Sequence, residues 1–185
     1  RWSITAVDDT VGQYLRGGLQ HSNSVDTVQV WANEYMGNRY WVILTPGNWE
    51  FELVEMKAPD SVWNPEASDY YLASAHEGYE GRTGYVEETA GAYYAARLGV
   101  LEHLRERDRQ AKCLVLREVT DDYWAPVGVW QVREGVRHAF ENEPATAETF
   151  HGAIQQLSGQ LPVSLADLRR KSELVAGIQS RLTDF

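Results

Sequence analysis

Tyr40-Trp-Val-Ile-Leu44 and Trp49-Glu-Phe-Glu-Leu-Val54, joined by Thr45-Pro-Gly-Asn48, decide the fold. Both runs are too short for helices and rich in β-branched and aromatic residues, and the Pro-Gly between them is turn chemistry. Working back, Thr27-Val-Gln-Val-Trp31 is a third run of the same kind, and Met36-Gly-Asn-Arg39 is its turn into the first. Three strands in succession predict an antiparallel meander. Ahead of them, Asp8 or Asp9 is placed to cap a short helix through Val11, Tyr14 and Leu15, ended by Gly17-Gly18.

Working forward, residues 58–84 are rich in Gly, Pro, Ser and Asp and read as a long surface loop with a short strand around Tyr70-Tyr-Leu72. From Val86 to Arg107, Ala90, Tyr94, Leu98 and Leu101 recur at helical spacing, which makes this the central helix. Lys112-Cys-Leu-Val-Leu-Arg117 is a buried strand, and Asp121-Asp-Tyr-Trp-Ala-Pro126 a connecting loop. Three further helices are expected over Val129–Phe140, Thr146–Gln156 (capped by Thr146 or Thr149) and roughly Ser164–Val175. Strands first and helices later, without regular alternation, indicate an α+β fold: an antiparallel sheet in the N-terminal part with helices packed on it. The expected division is a domain over 1–160 and a helical tail over 161–185.

The chain has 185 residues, 43% of them hydrophobic, with 7 Trp and 10 Tyr, which is ample for a core. No apolar run approaches the roughly 18 residues of a membrane span. It opens on Arg1 rather than Met and runs at once into Trp2-Ser-Ile-Thr-Ala-Val7, so it is read as part of a longer protein whose N-terminal region is not in this sequence. The lone cysteine, Cys113, excludes an internal disulfide, and its apolar setting predicts a buried, inert thiol in a reducing cytoplasm. The net charge is -10, and only Lys57, Lys112 and Lys171 among the 17 basic residues are lysine. Acidic, arginine-rich and lysine-poor is a halophilic composition: at a Debye length of about 3 Å, surplus carboxylates keep a surface hydrated without strong self-repulsion.

The chain ends Gln179-Ser-Arg-Leu182-Thr-Asp-Phe185. This Gln-x-x-aliphatic-x-x-aromatic pattern resembles the motif that docks replication and repair proteins on PCNA-type sliding clamps. One tight helical turn would project Leu182 and Phe185 into an apolar pocket while the Gln179 amide hydrogen-bonds at its rim. The second terminal aromatic of the full pattern is missing. The competing reading makes Leu174, Ile178 and Leu182 the apolar stripe of a terminal helix on the core. Gly177, unfavourable in a helix interior by about 1 kcal/mol, speaks for a hinge before the motif instead.

Arg1-Trp-Ser-Ile-Thr-Ala-Val-Asp-Asp9, Gly37-Asn-Arg-Tyr-Trp-Val-Ile-Leu44, Pro46-Gly-Asn-Trp49, Gly78-Tyr-Glu-Gly-Arg82, Ala92-Tyr-Tyr-Ala-Ala-Arg-Leu98 and Gly128-Val-Trp-Gln-Val-Arg-Glu134 resemble, in that order, the C-terminal region of the archaeal Nre family. The resemblance implies a DNA-damage response acting with the sliding clamp, and a four-cysteine zinc motif in the N-terminal region of the complete protein. This sequence contains no Cys-x-x-Cys, so no zinc or other cofactor is carried over.

Two other constellations bear on DNA. Trp130, Arg133 and Arg137 stand at i, i+3 and i+7, a face that would stack a base and grip phosphates, with Arg82, Arg97 and Arg117 as further contributors. The alternative is that Arg133 and Arg137 pair with Glu134, Glu141 or the chain's many other carboxylates. Glu50 and Glu52 alternate on one strand face and, with Glu87, would hold Mg²⁺ or Mn²⁺ in a nucleic-acid-processing enzyme. Glu87-Glu88 is otherwise explained by a helix N-terminus.

Overall fold

The computed structural model describes residues 2–124 and 126–180. The expected strands form as β1 (Val28–Tyr35), β2 (Asn38–Thr45) and β3 (Glu50–Lys57), followed by β4 (Tyr71–Glu77), β5 (Lys112–Val119) and β6 (Ala145–Ala147). They make one six-stranded sheet in the order β4-β3-β5-β2-β1-β6. The fold is α+β and mostly antiparallel, but the meander is overturned. β5 inserts between β2 and β3, antiparallel to the first and parallel to the second. The reason lies in Cys113-Leu-Val-Leu116, all four fully buried: such a strand needs a covered sheet on both faces and neighbours on both sides.

The presumed loop of residues 58–84 contains β4, a full partner of β3 from Lys57↔Tyr71 to Phe51↔Glu77. Its Ala73-Ser-Ala-His-Glu77 has weak strand propensity, so pairing rather than composition makes it a strand.

Helices cover both faces. α1 (Trp2–Leu19), α2 (Gly91–Glu106) and α3 (Trp130–Glu141) lie over one, where Trp49, Phe51, Leu53, Tyr93 and Val136 form the larger core. α4 (Phe150–Leu157), α5 (Leu165–Lys171) and α6 (Glu173–Ser180) lie over the other, where Ile154, Leu161, Leu168 and Val175 pack on Ile43, Val54 and Leu116. Packing therefore runs without a break across residue 160.

The N-terminal helix is one 18-residue element, not a short one, so Asp8 and Asp9 stand mid-helix rather than at a cap. Gly17-Gly18 falls inside it, where the missing side chain lets Arg105 lie against Gly18 and bond its carbonyl at 3.1 Å. α2 starts at Gly91, five residues later than the periodicity predicted, which puts Glu87 and Glu88 outside it. Thr149 caps α4 by accepting from Gly152 N, as expected, whereas Thr146 belongs to β6 and faces Gln29 of β1. The last expected helix is broken at Ser172 into α5 and α6, and α6 continues through Gly177 instead of hinging there.

Candidate functional site

β3 sends Phe51 and Leu53 into the larger core, and by alternation Glu50 and Glu52 share the opposite face, as expected. Glu52 is fully buried and accepts three hydrogen bonds: from Ser172 Oγ at 2.7 Å, Glu173 N at 2.8 Å and Leu174 N at 3.0 Å. Ser172 Oγ in turn accepts from Val175 N at 3.1 Å. The first amides of a helix have no partner within it, and here a strand carboxylate and a serine answer them. Burial pushes the Glu52 carboxyl above its ordinary pKa, opposed by the bond from Ser172 and the two backbone amides.

Glu50 lies one step along the same face. It accepts from His76 Nε2 at 3.0 Å and from Lys112 Nζ at 2.5 Å, and the His76 bond leads in drawing its pKa down to about 2. The other nitrogen of His76 lies 3.2 Å from a Glu173 carboxylate oxygen. His76 is raised above its ordinary value, chiefly by the Glu50 bond, with Glu173 and Glu52 adding to it against burial. β4 fastens the preceding helix as well: Ser74 Oγ donates to Lys171 O at 2.9 Å, and Lys171 Nζ reaches Glu88 at 2.8 Å. The result is a mount, built by β3 and β4, for the start of α6.

That geometry leaves Glu50 and Glu52 engaged with amides, a hydroxyl, an imidazole and an ammonium. Glu87 is exposed ahead of α2, and no group of three or more metal-ligating side chains occurs among the described residues.

Of the six residues proposed for a nucleic-acid face, Arg82 and Arg97 lie over the same Tyr93 ring, and the arginines are engaged within the fold. Arg97 is 2% exposed, paired with Asp9 and, at 2.8 Å, with Glu77. Arg117 is buried against Glu55 and donates to Asn38 Oδ1 at 2.9 Å. These two are corrections: each completes a buried charge pair and presents nothing to a phosphate. Arg133 reaches Asp8 of α1, and Arg137 holds Glu102 of α2 in a fork at 2.6 and 2.7 Å, with Glu134 alongside. The basic face of α3 thus binds α1 and α2, which is the pairing alternative, although with Asp8 and Glu102 rather than Glu141. Arg82 donates to His76 O at 2.7 Å, and Trp130 remains exposed at the start of α3.

Of the clamp-motif residues, Gln179 falls in the last turn of α6; its side chain, with Leu182 and Phe185, lies outside the described residues. Sequence reasoning missed Ser172, His76, Glu173 and Ser74. Ser172 carried a signal, a serine followed by Glu173 and an apolar run, that was absorbed into one continuous helix.

The family model described as "Archaeal Nre, C-terminal" matches residues 77–185, and "Archaeal Nre, N-terminal" matches residues 1–64. The chain belongs to the archaeal Nre family. It is 67% identical to DNA repair protein NreA of Haloferax volcanii over all of this chain and 44% of that protein. It is 40% identical to DNA repair protein NreA of Archaeoglobus fulgidus (85% of this chain, 40% of that one), and 33% identical to DNA repair protein NreB of the same organism (all of this chain, 47% of that one). The chain thus spans less than half the length of these relatives. No solved structure matches it.

The two matched Nre regions are separated by residues 65–76, which hold most of β4, yet they do not build separate bodies. β1, β2 and β3 come from the N-terminal match and β5 and β6 from the C-terminal one, which begins at Glu77, the last residue of β4. β5 lies between β2 and β3, so the two regions interleave in one sheet.

Proposed function

We propose that this chain is the part of a DNA-repair factor that is held at a PCNA-type sliding clamp by Gln179, Leu182 and Phe185. The observation that carries the reading is the position of the motif. Its first residue, Gln179, falls in the last turn of α6, whose first turn is fixed to β3 through Glu52 and Ser172. A helix capped by the folded body holds the motif's first residue at a defined place, which lowers the ordering cost of docking. The names of the Nre relatives support repair as the setting.

The chain's electrostatics favour this mode of recruitment. Binding to phosphates weakens by roughly one log unit per log unit of salt for each phosphate neutralised, whereas apolar anchoring does not. Since the arginines considered for DNA are largely spent on internal carboxylates, an apolar tether serves a protein of net charge -10 in the cytoplasm of a halophile better than a basic patch. DNA is then reached through the clamp. Calorimetric titration into the organism's clamp at molar salt tests the reading. The intact chain should bind and Leu182→Ala/Phe185→Ala should not; absence of binding by the intact chain would sink it.

A further inference from the structure

One end of the sheet gathers exposed aromatic side chains on loops that are tied together. The β1–β2 turn at Met36-Gly37, the segment 58–70 between β3 and β4, and residues 120–124 after β5 emerge side by side, because Asn38 and Lys57 both pair with Val119 while Lys57 pairs with Tyr71. Trp124 is 83% exposed, Trp63 49%, Tyr71 49% and Met36 44%.

These loops are held in place. Gly37 O accepts from Thr120 N at 3.2 Å and from Thr120 Oγ1 at 2.9 Å. Ala58 N donates to Val119 O at 2.9 Å, and Asn64 Nδ2 donates to Lys57 O at 3.1 Å and Asp69 O at 2.8 Å. Gly37, at φ 68°, lies so close to the backbone of residues 122–123 that a Cβ would sit 2.6 Å from Tyr123 N. Apolar surface presented at fixed positions by ordered loops costs little entropy to bind, and tryptophan is among the residues most enriched at binding hot spots.

The charges around these aromatics have one sign. Asp60, Glu66, Asp69, Asp121 and Asp122 are exposed, and none belongs to an ion pair among the described residues. The segments 36–37, 58–70 and 120–124 contain no Lys, Arg or His. The nearest cations at the strand ends are engaged: Arg39 with Glu34 and Glu118, and Lys57 with Glu55 and, at 5.3 Å, the Tyr71 ring.

We infer that this aromatic, carboxylate-rimmed end of the sheet docks a basic polypeptide segment, one in which arginine or lysine flanks an apolar or aromatic side chain. Guanidinium groups stack on exposed Trp and pair with the rim carboxylates, while the apolar neighbour covers Trp63 and Trp124. A nucleic acid would bring phosphates to a surface with no free cation among the described residues, and a second copy would set carboxylates against carboxylates.

The test is selection of a displayed random-peptide library on this chain at molar salt, with Trp63→Ser/Trp124→Ser as the comparison. Selected peptides should be rich in Arg or Lys beside apolar residues and should lose at least about tenfold in affinity on the variant. Both tryptophans are exposed, so thermal unfolding of the variant should match the parent; should it not, Asp121→Asn/Asp122→Asn supplies the second readout, a weaker and less salt-dependent affinity for the same peptides. Acidic or uncharged selectants, equal binding to parent and variants, displacement by a single-stranded oligonucleotide, or self-association lost with the tryptophans would each overturn the inference.

Discussion

Two buried carboxylates on paired strands, Glu77 and Glu52, show how differently the faces of this sheet are held. Glu77 stands opposite Phe51 in the β3–β4 register and shares its face; it receives Arg97 at 2.8 Å and the Trp49 indole at 2.9 Å. Glu52, one residue further along β3 and on the other face, meets a serine hydroxyl and two helix amides. On the first face a full countercharge answers the carboxylate, and the same arginine reaches Asp9, so one guanidinium joins β4, α2 and α1. On the second, the positive end of a helix does the work. The lesson is that α1 to α3 are braced by ion pairs that leave an uncompensated charge if cut, whereas α6 is held by hydrogen bonds that loosen locally.

The largest effect should come from Arg97→Met. It strands Glu77 in a dry site and should cost about 3–5 kcal/mol of unfolding free energy, measured by denaturant titration at fixed salt. A loss below about 1 kcal/mol would remove the contrast, since the pair would then be no brace. Glu52→Ala should cost about 1–2 kcal/mol, concentrated at α6, because it removes the acceptor for Glu173 N and Leu174 N. Hydrogen exchange is the readout: amides of α6 should speed up while those of α2 hold. Equal acceleration in both would mean that the two faces unfold as one unit.

The smallest effect is in pH. His76 has its folded pKa raised by the Glu50 bond, so its contribution is complete below the ordinary value of 6.5 and is lost as pH rises through the folded pKa. Glu50, drawn down to about 2, contributes above 4.5 and loses that contribution as pH falls toward 2. His76→Asn should therefore flatten the alkaline side of the stability profile by less than about 1 kcal/mol, since both partners are partly exposed. Parallel profiles for parent and variant would show that the bridge from β3 to α6 is not held by this imidazole.

Much of the local structure was legible. The turn at Met36-Gly37 and the strand at Cys113-Leu-Val-Leu116 follow from residue chemistry alone, the cap is narrowed to Thr146 or Thr149, and the shared face of Glu50 and Glu52 follows from a period of two. What those carboxylates do was not legible, because Glu52 meets its partners at Ser172, Glu173 and Leu174, about 120 residues away in the chain. Arg97 and Arg117 misled for the same reason. An arginine reads as a surface cation until the fold places Glu77 or Glu55 against it.

By itself the sequence determined β1, β2, β3 and β5, most helices, the buried thiol at Cys113 and the acidic, arginine-rich balance, because each depends on side chains within a few residues of one another or on totals over the chain. Only the tertiary structure decided that β5 parts β2 from β3, that the two Nre regions share one sheet, that the arginines turn inward, and that a glutamate of β3 caps the helix leading to the C-terminus. Those outcomes depend on which distant groups satisfy one another once water is excluded, and no local pattern specifies that pairing.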